Sequence, residues 1–257
     1  MDALALVVPA VAAVPPLARD AVCAVVLAGA AKVWVKLWSW LASSGTLSST
    51  LTRKLIHAGT GPLFVLGWPL FSDAPTAILF ACAVPIINLA RLWFAGQANS
   101  GSDGAELINS LSRSGDAKEV VGGPFYYTLV LLAATALSWR SIAGVVAVCQ
   151  MAVGDGFADI VGRRLGKNKW PFSAGKSIEG SVAFAVSAFV ASTLMLGGCH
   201  ALGYTAQTMR AAALPLLFIS FVCAAVELFP QACAVRCVST TFGRHHFVFP
   251  LVLGSAR

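Results

Sequence analysis

The chain has 257 residues, of which 58% are hydrophobic and only 11% are charged, and its mean hydropathy is +0.79. Soluble domains carry about 25% charged residues. A soluble fold of this length could not bury so much apolar surface, so the composition predicts one integral membrane domain. The formal net charge of +7 is expected in loops that contact lipid headgroups and set the orientation. The sequence has no long basic stripe with interleaved aromatic residues, which argues against a nucleic-acid partner.

The apolar runs predict an all-α polytopic helical bundle with six or seven transmembrane helices. We divide the chain into an N-terminal segment over 1–19, a candidate targeting remnant, a membrane domain over 20–230 and an atypical basic tail over 231–257. The first span is expected at Ala21–Leu41, and Pro85 is expected to break a later helix. The later apolar or uncharged stretches are 59–71, 76–95, 125–137, 142–153, 181–209 and 211–229.

Two polar segments interrupt these runs, at residues 96–119 and 154–180. Charged side chains concentrate in both segments, and an even number of spans between them would place them at the same membrane face. Arg53, Lys54 and His57 would have to reach that face to join them. The alternative interpretation of Arg53 and Lys54 is a topology signal.

The second polar segment has the most informative spacing. Asp155, Asp159 and Arg163 lie four residues apart, so a helix would bring them onto one face. Two carboxylates can hold a hard cation such as Mg²⁺, which prefers one or two carboxylates plus phosphate oxygens and water. The bases that could neutralise a polyphosphate are Arg163, Arg164, Lys167 and Lys169. The glycines that would let the backbone approach a ligand are Gly154, Gly156, Gly162 and Gly166.

These residue types fit phosphoryl transfer, which depends on positioning, a metal ion and cationic groups. Lys176, Ser177 and Glu179 open the next span and add a base, a hydroxyl and an acid. The alternative is structural, because Asp/Arg pairs at helix spacing often form plain salt bridges at a membrane surface. Glu227, at the end of the last long apolar run, is either functional or interfacial. No P-loop is present, since nothing matches GxxxxGK[ST].

Four blocks of residues, in this order and spacing, resemble the phytol kinase and farnesol kinase group of the polyprenol kinase family, which is related to dolichol kinases. The likeness covers residues 50–230. The combination is specific, although each short block alone would be weak. The blocks are Arg53–Gly61, Lys118–Tyr127, Gly154–Gly166 and Lys176–Ser181.

The resemblance implies a membrane enzyme that uses CTP, or another nucleoside triphosphate, to phosphorylate phytol or a similar prenyl alcohol. The paired aspartates predict Mg²⁺ or another divalent cation as cofactor. The partners of the enzyme would be the prenyl alcohol, the nucleotide and the lipid bilayer. The implied location is a chloroplast membrane, with the endoplasmic reticulum membrane as the alternative, and the product would feed tocopherol synthesis.

Carried onto this chain, the resemblance implies Asp155 and Asp159 as site acids but gives no individual roles. As a hypothesis, we take Asp155, Asp159 and Glu119 as the catalytic residues. Asp155 and Asp159 would bind the metal ion, and Asp155 or Glu119 would accept the alcohol proton. The expected nucleotide- and phosphate-binding residues are Arg163, Arg164, Lys167, Lys176, Arg53, Lys54 and His57. The chain departs from the family pattern after Ala225–Pro230, where relatives continue into an Asp- and Asn-rich block and this chain reads Gln231-Ala232-Cys233.

Two other functions use similar parts. A CTP-dependent cytidylyltransferase acting on a lipid phosphate would share the metal and the bases but would release pyrophosphate. A small-solute membrane transporter would be expected to place polar groups within several spans. Most charges here lie between the spans, which favours an enzyme over a transporter.

Overall fold

A computed structural model of the chain describes residues 14–97, 115–201 and 207–228. It also describes Ile108, Leu111, Ser112, Tyr204 and Thr205. The predicted basic tail over 231–257 and most of the polar segment between 98 and 114 lie outside the described residues, as do residues 1–13.

The described residues form α-helices and one short β-hairpin. The helices are α1 (Pro16–Ser43), α2 (Ser49–Leu66), α3 (Ala77–Ala95), α4 (Ala117–Val120), α5 (Gly123–Leu137), α6 (Ile142–Cys149), α7 (Asp155–Arg164), α8 (Ile178–Ala201) and α9 (Met209–Glu227). A 3₁₀ turn covers Trp68–Leu70, and a π-helical segment, Gln150–Gly154, joins α6 to α7. Strands β1 (Lys169–Trp170) and β2 (Ser173–Ser177) pair antiparallel.

Six helices in the described part of the chain are long and apolar enough to cross a membrane. They cover Pro16–Ser43, Ala77–Ala95, Ala117–Leu137, Ile142–Arg164, Ile178–Ala201 and Met209–Glu227. Many of their large apolar side chains point outwards, as Leu214 and Val25 do, at 78% and 72% exposure. Exposed apolar side chains on long helices are expected where the surrounding solvent is lipid. The prediction of an all-α polytopic membrane bundle is therefore confirmed.

Three of the described helices continue through a proline. The prediction that Pro85 breaks its helix is wrong, because α3 runs without interruption from Ala77 to Ala95. Pro62 likewise lies inside α2, and Pro215 lies inside α9. Prolines are tolerated within membrane helices because neighbouring helices and local adjustments satisfy the backbone groups that proline leaves unpaired. The first helix is also longer than predicted, and the predicted boundary after residue 19 falls inside it.

The span from Ile142 to Arg164 is the centre of the bundle, and its middle turn is π-helical. Gln150 begins this π-helical segment and is fully buried. Its side-chain amide donates hydrogen bonds to the hydroxyls of Ser192 on α8 and Ser220 on α9, at 3.3 and 2.9 Å. The segment is therefore anchored to two neighbouring spans immediately before Asp155.

Successive long helices, with α2 counted among them, run in opposite directions, so the loops alternate between two ends of the bundle. At one end, Arg140 pairs with Asp73 at 2.8 Å, and the Tyr204 hydroxyl donates to the carbonyl of Pro69. At the other end lie the start of α2, helix α7 and the hairpin. This second end, which we call the site face, carries the charged residues singled out in the sequence.

Candidate active site

Helix α7 begins at Asp155 and presents its two aspartates on one side. Arg163 donates to Asp159 through Nε and Oδ1 at 2.9 Å, four residues apart on the helix. The four-residue spacing noted in the sequence therefore corresponds to a helix face. The aspartate side chains are 33% and 22% exposed for Asp155 and Asp159, so both are sheltered yet accessible from the site face.

Helix α2 brings two further side chains against these aspartates. Lys54 Nζ lies 3.4 Å from Asp155 Oδ2 and 3.7 Å from Asp159 Oδ2. His57 Nε2 lies 3.3 Å from Asp155 Oδ2. The lysine and the histidine are three residues apart and so share one face of α2. The first and third blocks of the sequence, about a hundred residues apart, thus meet in one cluster.

The close approach of α2 to α7 depends on small residues. A Cβ atom built on Gly156 would lie 2.8 Å from the Cβ of Ala58. A Cβ on Gly61 would lie 2.8 Å from Val148 and 3.0 Å from Ala152. Small residues let membrane helices pack with their backbones close together. At this crossing they bring Lys54 and His57 within reach of the aspartates.

The other glycines of this segment also contact protein. A Cβ on Gly154 would lie 2.8 Å from the ring of Phe184, and one on Gly166 would lie 2.5 Å from Ser177 Oγ. A Cβ on Gly162 would lie 3.2 Å from the same hydroxyl oxygen. The sequence suggested that these glycines admit a ligand to the backbone. In the structure the space beside them is filled by neighbouring helices and the hairpin, so they serve close packing.

Tyr127, from the second block, contacts His57 through both its hydroxyl and its ring. Its hydroxyl donates to the backbone carbonyl of His57 at 2.9 Å, and the two rings lie 4.4 Å apart. Tyr127 is buried on α5. Tyr127 ends the second sequence block, which suggested no role for it, and its position indicates that it holds α2 in place.

The hairpin supplies Lys176 from strand β2. Lys176 forms an ion pair with Glu227, the last residue of α9. Glu179, at the start of α8, accepts hydrogen bonds from the backbone N–H groups of Lys167 and Asn168 at 3.3 and 3.1 Å. The hairpin is thus held to two spans. Glu227 and Lys176 were each singled out in the sequence, but their pairing was not predicted.

The remaining predicted residues lie at different places. Arg53 donates to the carbonyl of Ser112 at 2.8 Å and so ties α2 to the polar segment before α4. Glu119 lies on α4, which packs against α3 and α5. Arg164 and Lys167 are exposed at and beyond the end of α7. The structure therefore brings together Lys54, His57, Asp155, Asp159 and Arg163.

The two aspartates suit a metal ion that takes most of its ligands from phosphate and water rather than from the protein. Among the described residues, no group of three or more His, Cys, Asp and Glu side chains is arranged to hold one. Asp159 Oδ2 is buried, accepts no hydrogen bond from the described groups and lies 3.7 Å from Lys54 Nζ, and this oxygen is the candidate metal ligand. Two carboxylates suit Mg²⁺ when phosphate oxygens and water supply the other ligands.

The fold and this cluster define a polytopic membrane protein with a cluster of basic and acidic side chains at its site face. Comparison with curated proteins identifies the family to which the chain is similar. It is 37% identical over 224 residues to probable phytol kinase 2, chloroplastic, of Oryza sativa subsp. japonica, covering 85% of this chain and 73% of the relative. It is 38% identical over 194 residues to farnesol kinase, chloroplastic, of Arabidopsis thaliana, covering 75% and 62%.

A third relative is phytol kinase 1, chloroplastic, of Arabidopsis thaliana, at 35% identity over 215 residues, covering 83% of this chain and 70% of the relative. No family model and no solved structure matches the chain. The extent and level of identity show that the chain belongs to the phytol kinase and farnesol kinase group of the polyprenol kinase family.

Proposed function

We propose that the chain is a lipid-alcohol kinase that transfers the γ-phosphate of CTP, or another nucleoside triphosphate, to phytol or a similar prenyl alcohol. The observation that carries the proposal is the cluster at the site face, where Lys54 and His57 meet Asp155 and Asp159. The relatives are named phytol kinase and farnesol kinase. Their names also say chloroplastic, and we propose a chloroplast membrane as the location.

The reaction forms a bond between the alcohol oxygen and the γ-phosphorus and breaks the bond to the leaving nucleoside diphosphate. The protein stabilises the transition state by aligning the reacting groups and by placing positive charge around the transferred phosphoryl group. Lys54 and Lys176 supply ammonium groups, and Arg163 supplies a guanidinium group beside Asp159. The alcohol proton passes to a base, for which Asp155 and Glu119 are the candidates.

Asp155 and Asp159 would hold the Mg²⁺ ion. When bound, the ion neutralises charge on the phosphate oxygens. The prenyl chain would lie along the apolar spans, since it is as hydrophobic as the lipid around them. Its hydroxyl would then reach the site face, where the nucleotide arrives from water.

The proposal is tested with membranes that contain the chain and CTP labelled in the γ-phosphate. Phytol, farnesol, geranylgeraniol and dolichol are each offered with each of four nucleoside triphosphates. A kinase transfers the label to the lipid. A cytidylyltransferase would release the label in pyrophosphate, and a transporter would move solute without consuming nucleotide. Chelation of divalent cations should stop the labelling of lipid, and labelling that persists would contradict the assigned metal.

Gly156→Leu is expected to lower turnover by about 10²-fold, the cost of displacing reacting groups by about 1 Å. The leucine would push α2 away from α7, because a Cβ at Gly156 already meets Ala58 at 2.8 Å. Lipid phosphorylation by membranes with equal amounts of inserted protein measures the effect. The matched control is Gly29→Leu on α1, where a Cβ meets no atom within 4 Å. Equal losses in both variants would contradict the role of the crossing.

A further inference from the structure

Glu227 is a buried carboxylate at the site face, and it has no role in the proposed reaction. Its side chain is only 3% exposed, whereas that of its partner Lys176 is 40% exposed. Burying a carboxylate is costly unless an opposite charge is held against it. The pair therefore has one end enclosed by the bundle and one end open to water and to a ligand.

The pair joins two parts of the chain that are separate in sequence. Lys176 lies on strand β2, and Glu227 ends α9, 51 residues later. The base of the hairpin is held separately, since Glu179 accepts hydrogen bonds from residues 167 and 168 and Ser177 Oγ accepts one from Gly180 N–H at 3.1 Å. The ion pair adds a contact from the side chain of Lys176 itself to a span.

We propose that Glu227 is a positioning residue for the polyphosphate of the nucleotide: it holds Lys176 at the site face, with the ammonium group directed to the ligand. This inference rests on the proposed kinase function. A long lysine side chain loses rotamer freedom when it binds a phosphate, and a partner that restricts it beforehand reduces that cost. Glu227 acts through Lys176 and does not itself contact the reacting atoms.

The kinetic test is Glu227→Gln, which keeps the shape of the side chain and removes its charge. We expect KM for CTP to rise about 10- to 100-fold, the effect of one charge-assisted hydrogen bond, while kcat stays within about threefold. Glu227→Asp should recover part of the affinity because it restores the charge. A fall in kcat at unchanged KM would overturn the proposal, since it would indicate a direct part in the chemistry.

A double-mutant cycle with Lys176→Met separates positioning from an independent effect. If Glu227 acts through Lys176, then Glu227→Gln should change KM little in a chain that already lacks the lysine. Additive effects of the two substitutions would overturn the proposal. The matched control is Asp73→Asn, which removes a carboxylate from an ion pair at the opposite end of the bundle and should leave KM for CTP unchanged.

A second measurement does not depend on turnover. Amide hydrogen exchange of residues 169–177 in the full chain should be faster in Glu227→Gln than in the wild type, and unchanged in Asp73→Asn. If the wild type binds and consumes none of the four nucleoside triphosphates, the proposed function and this inference both fail. If it does phosphorylate prenyl alcohol but the variant changes neither the exchange nor KM, only the role of Glu227 is wrong.

Discussion

Asp155→Asn should reduce phosphorylation of the prenyl alcohol by at least about 10²- to 10³-fold, the loss seen when one preorganised electrostatic group is removed from an active site. The substitution keeps the size of the side chain and removes the charge that Lys54 and His57 face. It also removes one of the two carboxylates assigned to Mg²⁺. The fold should persist, because the α2–α7 crossing depends on Gly156 and Ala58 rather than on this charge.

Turnover is measured with γ-labelled CTP in membranes, and insertion is measured by the amount of protein that resists extraction at high pH. Asp73→Asn again provides the control, because it makes the same chemical change at the opposite end of the bundle. A rise in the Mg²⁺ concentration needed for residual activity would connect the loss to the metal. Undiminished turnover in Asp155→Asn would remove Asp155 from the active site.

Lys54→Met should lower both activity and stability. Lys54 Nζ lies within 3.7 Å of both aspartates, so its removal leaves two partly buried carboxylates one helical turn apart without that cation. We expect a loss of about 1–3 kcal/mol in the free energy of unfolding, the usual cost of an unsatisfied buried group, reduced by the partial exposure of these side chains. Turnover should fall about 10²-fold because a cation proposed to bind phosphate is lost.

Thermal unfolding in detergent measures the change in stability, and Lys32→Met, at an exposed lysine of α1, is the control. The double variant Lys54→Met/Asp155→Asn gives a sharper result. Neutralising one aspartate removes the repulsion between the carboxylates of Asp155 and Asp159. The double variant should therefore regain stability relative to Lys54→Met while remaining inactive. If stability were not regained, the destabilisation would come from lost packing of the lysine stem rather than from charge.

The sequence predicted the features that depend on neighbouring residues. Apolar runs of sufficient length predicted the membrane spans, because unsatisfied backbone groups in lipid leave few alternatives to a helix. The four-residue spacing of Asp155, Asp159 and Arg163 predicted a shared helix face, and the ion pair at 2.9 Å between the last two is one consequence. The prediction that Pro85 breaks its helix failed because the effect of a proline depends on neighbouring helices, which a local pattern does not describe.

The meeting of Lys54 with Asp155 required information about tertiary contacts. It depends on the direction of each span and on a crossing of α2 with α7 that only small residues permit. The hairpin was missed for a similar reason. Strand β1 has two residues, too few for any alternation of apolar and polar side chains to show. The pairing of Lys176 with Glu227 follows from that hairpin, so it could not be predicted without it.

The π-helical segment Gln150–Gly154 sets the angular phase of the aspartates. A wide turn of this kind inserts a residue into a regular helix, and each residue of an α-helix rotates the following side chains by about 100°. Deleting one residue here would restore regular winding in the middle of the span and swing Asp155 away from α2. The half of this span that carries the aspartates thus keeps its orientation through a local irregularity that Gln150 anchors from within the bundle.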